Sequence, residues 1–86
     1  MLHKVHETRL GVIGLGYVGL PLAVEFGRHY PTLGFDINNK RIQELQSGED
    51  HTLEVSREEL KLATKLTYSA DIDSLKTCNT YIVTVP

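Results

Sequence analysis

The chain is short of most features that mark a specialised class of protein. It has one cysteine in 86 residues, which excludes an internal disulfide framework and fits a reducing, cytoplasmic setting. It has no long apolar run. Its most apolar stretches, residues 10–15 and 81–85, fall far below the roughly 20 residues that cross a bilayer. Its opening residues, Met1-Leu2-His3-Lys4-Val5-His6-Glu7, lack the hydrophobic region of a signal peptide. It has no excess of either charge. Nine Lys and Arg stand against eleven Asp and Glu, for a formal net charge of −2, and the two signs are interspersed. Neither a nucleic-acid surface nor a membrane surface is expected of such a chain. Of four histidines, His3 and His6 lack metal-ligand spacing, and His29 and His51 stand singly. No metal site and no catalytic residue is assigned. The length suffices for one small domain, which buries a smaller fraction of its surface than a larger one. Internal repeats and low-complexity segments are absent.

What is present is concentrated in one place. Gly14-Leu15-Gly16-Tyr17-Val18-Gly19 follows a strand-like run at residues 8–13. Behind it comes an apolar set at helical spacing, Val18, Leu22, Phe26 and Tyr30, with Ala23 alongside. A second strand, Thr32-Leu33-Gly34-Phe35, then ends in Asp36. Strand, G-x-G-x-x-G turn, helix, strand and acid is the layout of a dinucleotide-binding βαβ unit. Each part has a physical task. Gly14 permits the tight turn, Gly16 lets the backbone approach a pyrophosphate, and Gly19 lets the helix pack closely on the sheet. The helix start offers free N–H groups and partial positive charge to phosphates. Asp36 can accept from both adenine-ribose hydroxyls and repels a 2′-phosphate, so NAD is favoured over NADP. The bland alternative is a glycine-rich turn followed by a capping aspartate.

The remaining pattern extends the unit. The first helix is expected over residues 17–29, with Pro21 in its first turns, and Pro31 punctuates the link to the second strand. Residues 38–46 read as a helix facing inward with Ile42 and Leu45 and ending at Ser47-Gly48. Residues 49–56 read as a polar loop. Ser56 and Glu59 fit a capping box, opening a helix through Leu60, Leu62 and Ala63. A short third strand is expected at 66–68, a helical turn at 71–76, and a buried parallel strand at 80–85. The order β-α-β-α-α-β-α-β predicts an α/β fold. It is a Rossmann-like doubly wound parallel sheet, first half only, with four strands in the order 3-2-1-4. Residues 1–7 read as a flexible lead-in, and residues 8–86 as an N-terminal dinucleotide-binding domain that stops early.

The wording of these segments is narrower than the generic fingerprint. Val12-Ile13-Gly14-Leu15-Gly16-Tyr17-Val18-Gly19-Leu20-Pro21 resembles the opening of the UDP-glucose/GDP-mannose dehydrogenase family. Gly34-Phe35-Asp36-Ile37-Asn38-Asn39-Lys40-Arg41-Ile42 resembles that family's second-strand segment, in which an aspartate and a basic residue five positions on contact the adenosine ribose. Tyr81-Ile82-Val83-Thr84-Val85-Pro86 resembles its fourth strand. Leu22-Ala23-Val24-Glu25-Phe26-Gly27 is most similar to bacterial enzymes of UDP-N-acetylhexosamines that serve surface-polysaccharide pathways. Leu53-Glu54-Val55-Ser56 departs from the Glu-Pro-Gly-Leu segment of another branch. The resemblance implies NAD-dependent oxidation of a UDP-sugar's C6 alcohol to a uronic acid, through a cysteine thiohemiacetal and thioester. That cysteine and the sugar-binding residues belong downstream of this chain in the family, so the 86 residues alone are expected to be inactive.

The candidate cofactor residues are therefore Gly14, Gly16, Tyr17, Val18, Gly19, Asp36, Arg41 and Thr84, each with an ordinary alternative. Tyr17 offers its backbone N–H to phosphate, or lays its side chain on the sheet. Arg41 meets the ribose or adenine, or is a solvated helix residue beside Lys40; basic residues here also leave a 2′-phosphate, and so NADP, as an option. Thr84 ends the fourth strand at the ligand-binding carboxyl edge, or is a plain β-branched strand residue. Cys78 matches no nucleophile motif and reads as a packing residue. A stand-alone dinucleotide-binding module is the alternative function. With the fourth strand at a sheet edge, self-association of two copies is also expected.

Overall fold

The computed structural model describes residues 8–84. The expected lead-in and the last residue of the expected fourth strand lie outside the described residues. Four strands, β1 (Leu10–Ile13), β2 (Thr32–Phe35), β3 (Leu66–Ser69) and β4 (Thr80–Val83), form one parallel sheet in the order β3-β2-β1-β4. This is the expected strand order. The connections carry α1 (Gly19–Gly27), α2 (Asn39–Gln46), α3 (Arg57–Leu62) and a 3₁₀ helix (Ile72–Thr77).

Period-two alternation divides the sheet into two unlike faces. Val12 is in register with Gly34 and Ile82, and its face meets the helices. Val12, Leu15, Leu20, Ala23, Val24, Ile42, Leu45, Val55, Leu60 and Ala63 make the core there. Gly11, in register with Leu33 and Tyr81, belongs to the other face. A Cβ at Gly11 would meet the side chains of Tyr81, Cys78 and Leu75 at 3.1–3.2 Å, so the 3₁₀ helix covers that side. The chain thus changes face between β3 and β4, which places a topological switch point between β1 and β4.

Several local expectations are corrected. The first helix spans nine residues, because Tyr17 and Val18 form the turn leading into it. Its Pro21 is the third helical residue, where the missing N–H has no helical partner to lose. The buried face is Gly19, Leu20, Ala23, Val24 and Gly27, not the stripe Val18, Leu22, Phe26, Tyr30. Closeness decides this. A Cβ at Gly27 would lie 2.6 Å from Leu66 Cβ, so the helix seats its small residues against the sheet and leaves the bulky stripe at the margin. The fourth strand lies at the sheet edge, as expected from the strand order, but it is not buried: Tyr81 is 49% and Val83 67% exposed. In contrast, α2 starts on its Asn38 cap and buries Ile42 and Leu45, with Gly48 left-handed after its end at φ 86°. The Ser56–Glu59 capping box also forms in both directions, at 3.1 and 3.0 Å.

Candidate dinucleotide site

The three motif glycines are required for different reasons. Gly14 has φ +98°, and a Cβ on it would lie 2.8 Å from Thr84 Oγ1 and 2.9 Å from Thr84 O. Only glycine meets both demands. A Cβ on Gly19 would fall 1.6 Å from Gly14 O. The helix start thus closes on Gly14 and Thr84, the residues just past the ends of β1 and β4, where a Cβ would also meet Thr84 Oγ1 at 2.7 Å. At Gly16 a Cβ would meet nothing within 4 Å among the described residues. The protein's own packing does not require this glycine, so the space in front of it is open to a ligand.

The turn is presented at the carboxyl edge of β1. Gly14 N–H donates to Phe35 O at 2.9 Å, and Leu20 N–H to Gly16 O at 3.1 Å. The N–H groups of Gly16, Tyr17, Val18 and Gly19 make no hydrogen bond among the described residues. They are the orphan donors of a helix start. The Tyr17 side chain is 67% exposed, which rules out the reading that lays it on the sheet. The Val18 side chain is exposed as well. Thr84 lies just past β4 and is no plain strand residue. Its hydroxyl donates to Gly14 O (2.9 Å) and Ile13 O (3.2 Å), and its N–H to Ile13 O (2.9 Å). It fastens the turn to the neighbouring strand.

Leu15, between the glycines, is fully buried and held at both polar atoms. Its N–H donates to Asp36 Oδ2 at 3.0 Å, and its carbonyl accepts from Arg41 Nε at 2.8 Å. Asp36 Oδ1 accepts from Asn38 N–H at 3.0 Å. Each Asp36 oxygen keeps a further lone pair, so the carboxylate braces the turn and still has acceptor capacity for ribose hydroxyls. Arg41 is not the solvated residue of the bland reading: it is 9% exposed. Its Nη1 donates to Glu44 Oε2 (2.7 Å) and Asp50 Oδ1 (2.8 Å). Its Nη2 is buried without a hydrogen-bond partner among the described residues.

Asp50 is the residue that sequence reasoning missed, hidden in a loop read only as polar. Its side chain is wholly buried and accepts from Thr52 N–H and Oγ1, Glu54 N–H and Val55 N–H. Burial pushes its carboxyl up, but hydrogen bonds from Thr52, Arg41 and Val55 outweigh this and hold it at about 2. The Asp-x-Thr spacing, typical of an aspartate that folds a turn over itself, was the available signal. Tyr68, on β3, has its phenol pushed up to about 12, mainly by burial.

Other candidates stay apart from this edge. Cys78 is buried with Sγ 3.4 Å from Leu10 O, at the far end of β1, and packs as expected. His29 and His51 are exposed and pair with Glu25, and with Glu44 and Glu49, respectively. No metal-ligand cluster occurs among the described residues. The surface hollows also lie elsewhere. One lies between α1 and α3, lined by Pro21, Val24, Arg28, Val55 and Leu62, a second is lined by Arg9, Leu10, Thr32, Tyr68 and Cys78, and a third runs along α2 and β3. The glycine-rich turn is an open cradle.

A parallel sheet of order 3-2-1-4, with an open glycine turn at the switch point and an acid ending β2, defines a Rossmann-type dinucleotide-binding domain. The open space at Gly16 and the free donors around it fit a pyrophosphate-bearing cofactor. The chain belongs to the UDP-glucose/GDP-mannose dehydrogenase family, whose NAD binding domain matches residues 8–86. It is 52% identical over 82 residues to a UDP-N-acetyl-D-glucosamine 6-dehydrogenase of Salmonella typhi, covering 95% of this chain and 19% of that protein. It is 54% identical over 80 residues to the enzyme of the same name from Pseudomonas aeruginosa, covering 93% and 19%. A solved UDP-D-ManNAc dehydrogenase from Pyrococcus horikoshii superposes with a TM-score of 0.82 at 36% identity, over 91% of this chain and 20% of that one. The chain thus spans about a fifth of the length of the relatives it matches.

Proposed function

We propose that this chain is the NAD-binding portion of a nucleotide-sugar 6-dehydrogenase that oxidises the C6 alcohol of a UDP-sugar to a uronic acid. A UDP-N-acetylhexosamine is the favoured substrate, by similarity to the Salmonella and Pseudomonas relatives. The observation that carries the cofactor reading is Gly16, a glycine with nothing within 4 Å of its would-be Cβ, set beside backbone donors without partners. In this reading the N–H groups of Gly16, Tyr17, Val18 and Gly19 receive the pyrophosphate, Gly14 and Thr84 hold the turn that aims them, and Asp36 accepts from the adenosine ribose. Arg41 acts on the turn through Nε, which donates to Leu15 O. When bound, NAD supplies the hydride acceptor; these residues bind and orient it.

Calorimetric titration tests this directly. NAD(H) is expected to bind more tightly than NADP(H), and equal or tighter NADP(H) binding would overturn the Asp36 role. Gly16→Val should abolish binding, because its side chain fills the open space. The chain alone should form no NADH at 340 nm from UDP-N-acetylglucosamine or other UDP-sugars. Turnover that vanished in Cys78→Ser would refute the packing role of Cys78.

The setting proposed is cytoplasmic, in supply of precursors for surface polysaccharide, with neither nucleic acid nor membrane as partner. No helix among the described residues is long and apolar enough to cross a membrane. Self-association belongs to the same proposal. Among the described strands β4 pairs only with β1, and an edge with free N–H and C=O groups invites a second copy. Light scattering on a concentrated sample should show a species heavier than the monomer; a strictly monomeric result refutes the association.

A further inference from the structure

The Arg41–Asp50 pair is an unusual investment for a small domain. A buried ion pair is weak evidence for stability, since well-packed apolar residues commonly do as well. Its placement suggests another use. Arg41 spends Nε on Leu15 O, 26 residues away in the chain, at 2.8 Å. That carbonyl and Gly16 N–H belong to one peptide. The unit is planar and trans, so its N–H points opposite to its C=O. Wherever the guanidinium pulls the Leu15 carbonyl, the Gly16 N–H is turned the other way, outward from α2. The Leu15 N–H is held independently by Asp36, so the peptides on both sides of Leu15 are fixed.

An arginine can orient a carbonyl only if it is itself oriented. Glu44 and Asp50 both take Nη1. Glu44 sits on the same helix as Arg41 and also accepts from His51 N–H. Asp50 is tied into its own loop by four further hydrogen bonds, from Thr52 N–H and Oγ1, Glu54 N–H and Val55 N–H. A continuous set of bonds therefore runs from the Asp50 loop through Arg41 and Leu15 O to the Gly16 peptide. Asp50 itself touches no atom of the turn.

We propose that Asp50 is a positioning residue for the cofactor site, acting through Arg41 to aim the Gly16 N–H at the pyrophosphate. This deepens the cofactor reading above and rests on it. Asp50 neither contacts the cofactor nor takes part in chemistry; it sets how well one donor is aligned before binding.

The test compares Asp50→Asn, Arg41→Lys, the double variant and Ser56→Ala in the full chain. Ser56→Ala weakens the α3 cap at the end of the same loop and touches neither Arg41 nor Leu15. Two readouts are taken: the Kd for NADH, and the Gly16 amide resonance in the ligand-free protein. Asp50→Asn and Arg41→Lys should each weaken NADH about tenfold and move the Gly16 amide. The double variant should be no worse than the poorer single, because both act through one bond. Ser56→Ala should lower the melting temperature yet leave the Kd within about twofold and the Gly16 resonance in place. An unmoved Gly16 resonance in Asp50→Asn and Arg41→Lys overturns the proposal. So does a loss of affinity in Ser56→Ala that matches Asp50→Asn. If Asp50→Asn does not fold, Arg41→Lys, which leaves the Asp50 loop bonds intact, decides by the same resonance. If the unaltered chain fails to bind NADH, the cofactor reading falls, and the ligand-free Gly16 resonance still answers the positioning question.

Discussion

Gly16 and Gly19 carry the same side chain and answer to opposite constraints. Adding one methyl group separates them. Gly19→Ala places a Cβ 1.6 Å from a backbone oxygen that cannot yield, and should cost on the order of 3 kcal/mol or more in urea unfolding. Gly16→Ala meets open space, so its melting temperature should stay within about 2 °C of the parent. Its NADH affinity should nevertheless fall. A Gly16→Ala variant as unstable as Gly19→Ala would mean that the turn, not the ligand, requires glycine there. Thr84→Val keeps the shape and removes the hydroxyl that donates to Gly14 O and Ile13 O. It should lose about 1 kcal/mol, read by the same denaturation.

At the scale of elements, the seating of α1 follows from its smallest residues. Glycine in a helix is unfavourable by about 1 kcal/mol against alanine, so Gly27→Ala would stabilise an isolated helix. In the folded chain the new Cβ would stand 2.6 Å from Leu66 Cβ, the base of a side chain rather than its mobile end. Overlap wins, and the melting temperature of Gly27→Ala should fall. A rise would show that α1 has room to move off the sheet. The short helix α3 depends on its cap instead. It has six residues and Leu60 as its buried one, too little packing to hold it alone. Ser56→Ala breaks the reciprocal capping box and should cost about 1 kcal/mol.

For the whole molecule, the Asp50 cluster couples stability to acid. Its carboxyl is held at about 2 in the folded chain, against about 3.9 when unfolded. A depressed value means stability that is fully present above about pH 4 and is lost as pH falls toward 2. A shift of roughly two units corresponds to about 3 kcal/mol. Acid unfolding of the parent should steepen across that window, and Asp50→Asn should flatten it. An unchanged profile in Asp50→Asn would show that other carboxylates set the acid limit. The groups concerned come from three parts of the fold: Arg41 and Glu44 on α2, Asp50 and Thr52 in the following loop, and Leu15 in the first turn. Removing the pair therefore loosens the site and the scaffold together.

Local chemistry settled much of this protein at the level of the sequence. Gly14 with its left-handed φ, the Ser56–Glu59 box, helix α2 between its Asn38 cap and Gly48, and the strand order were all legible, because each depends on neighbours in the chain or on a βαβ rule that spacing satisfies. Tertiary structure decided the rest. Which face of α1 is buried depended on the clearance at Gly27 beside Leu66, a contact no helical period contains. Whether Arg41 was solvated depended on Asp50, which alternation and motif both left as an anonymous loop acid. The exposure of Tyr81 and Val83 on β4 was masked in the sequence by a uniformly apolar run. Sequence determines turns and caps because their partners are a few residues apart; burial and charge pairing wait for residues that only folding brings together.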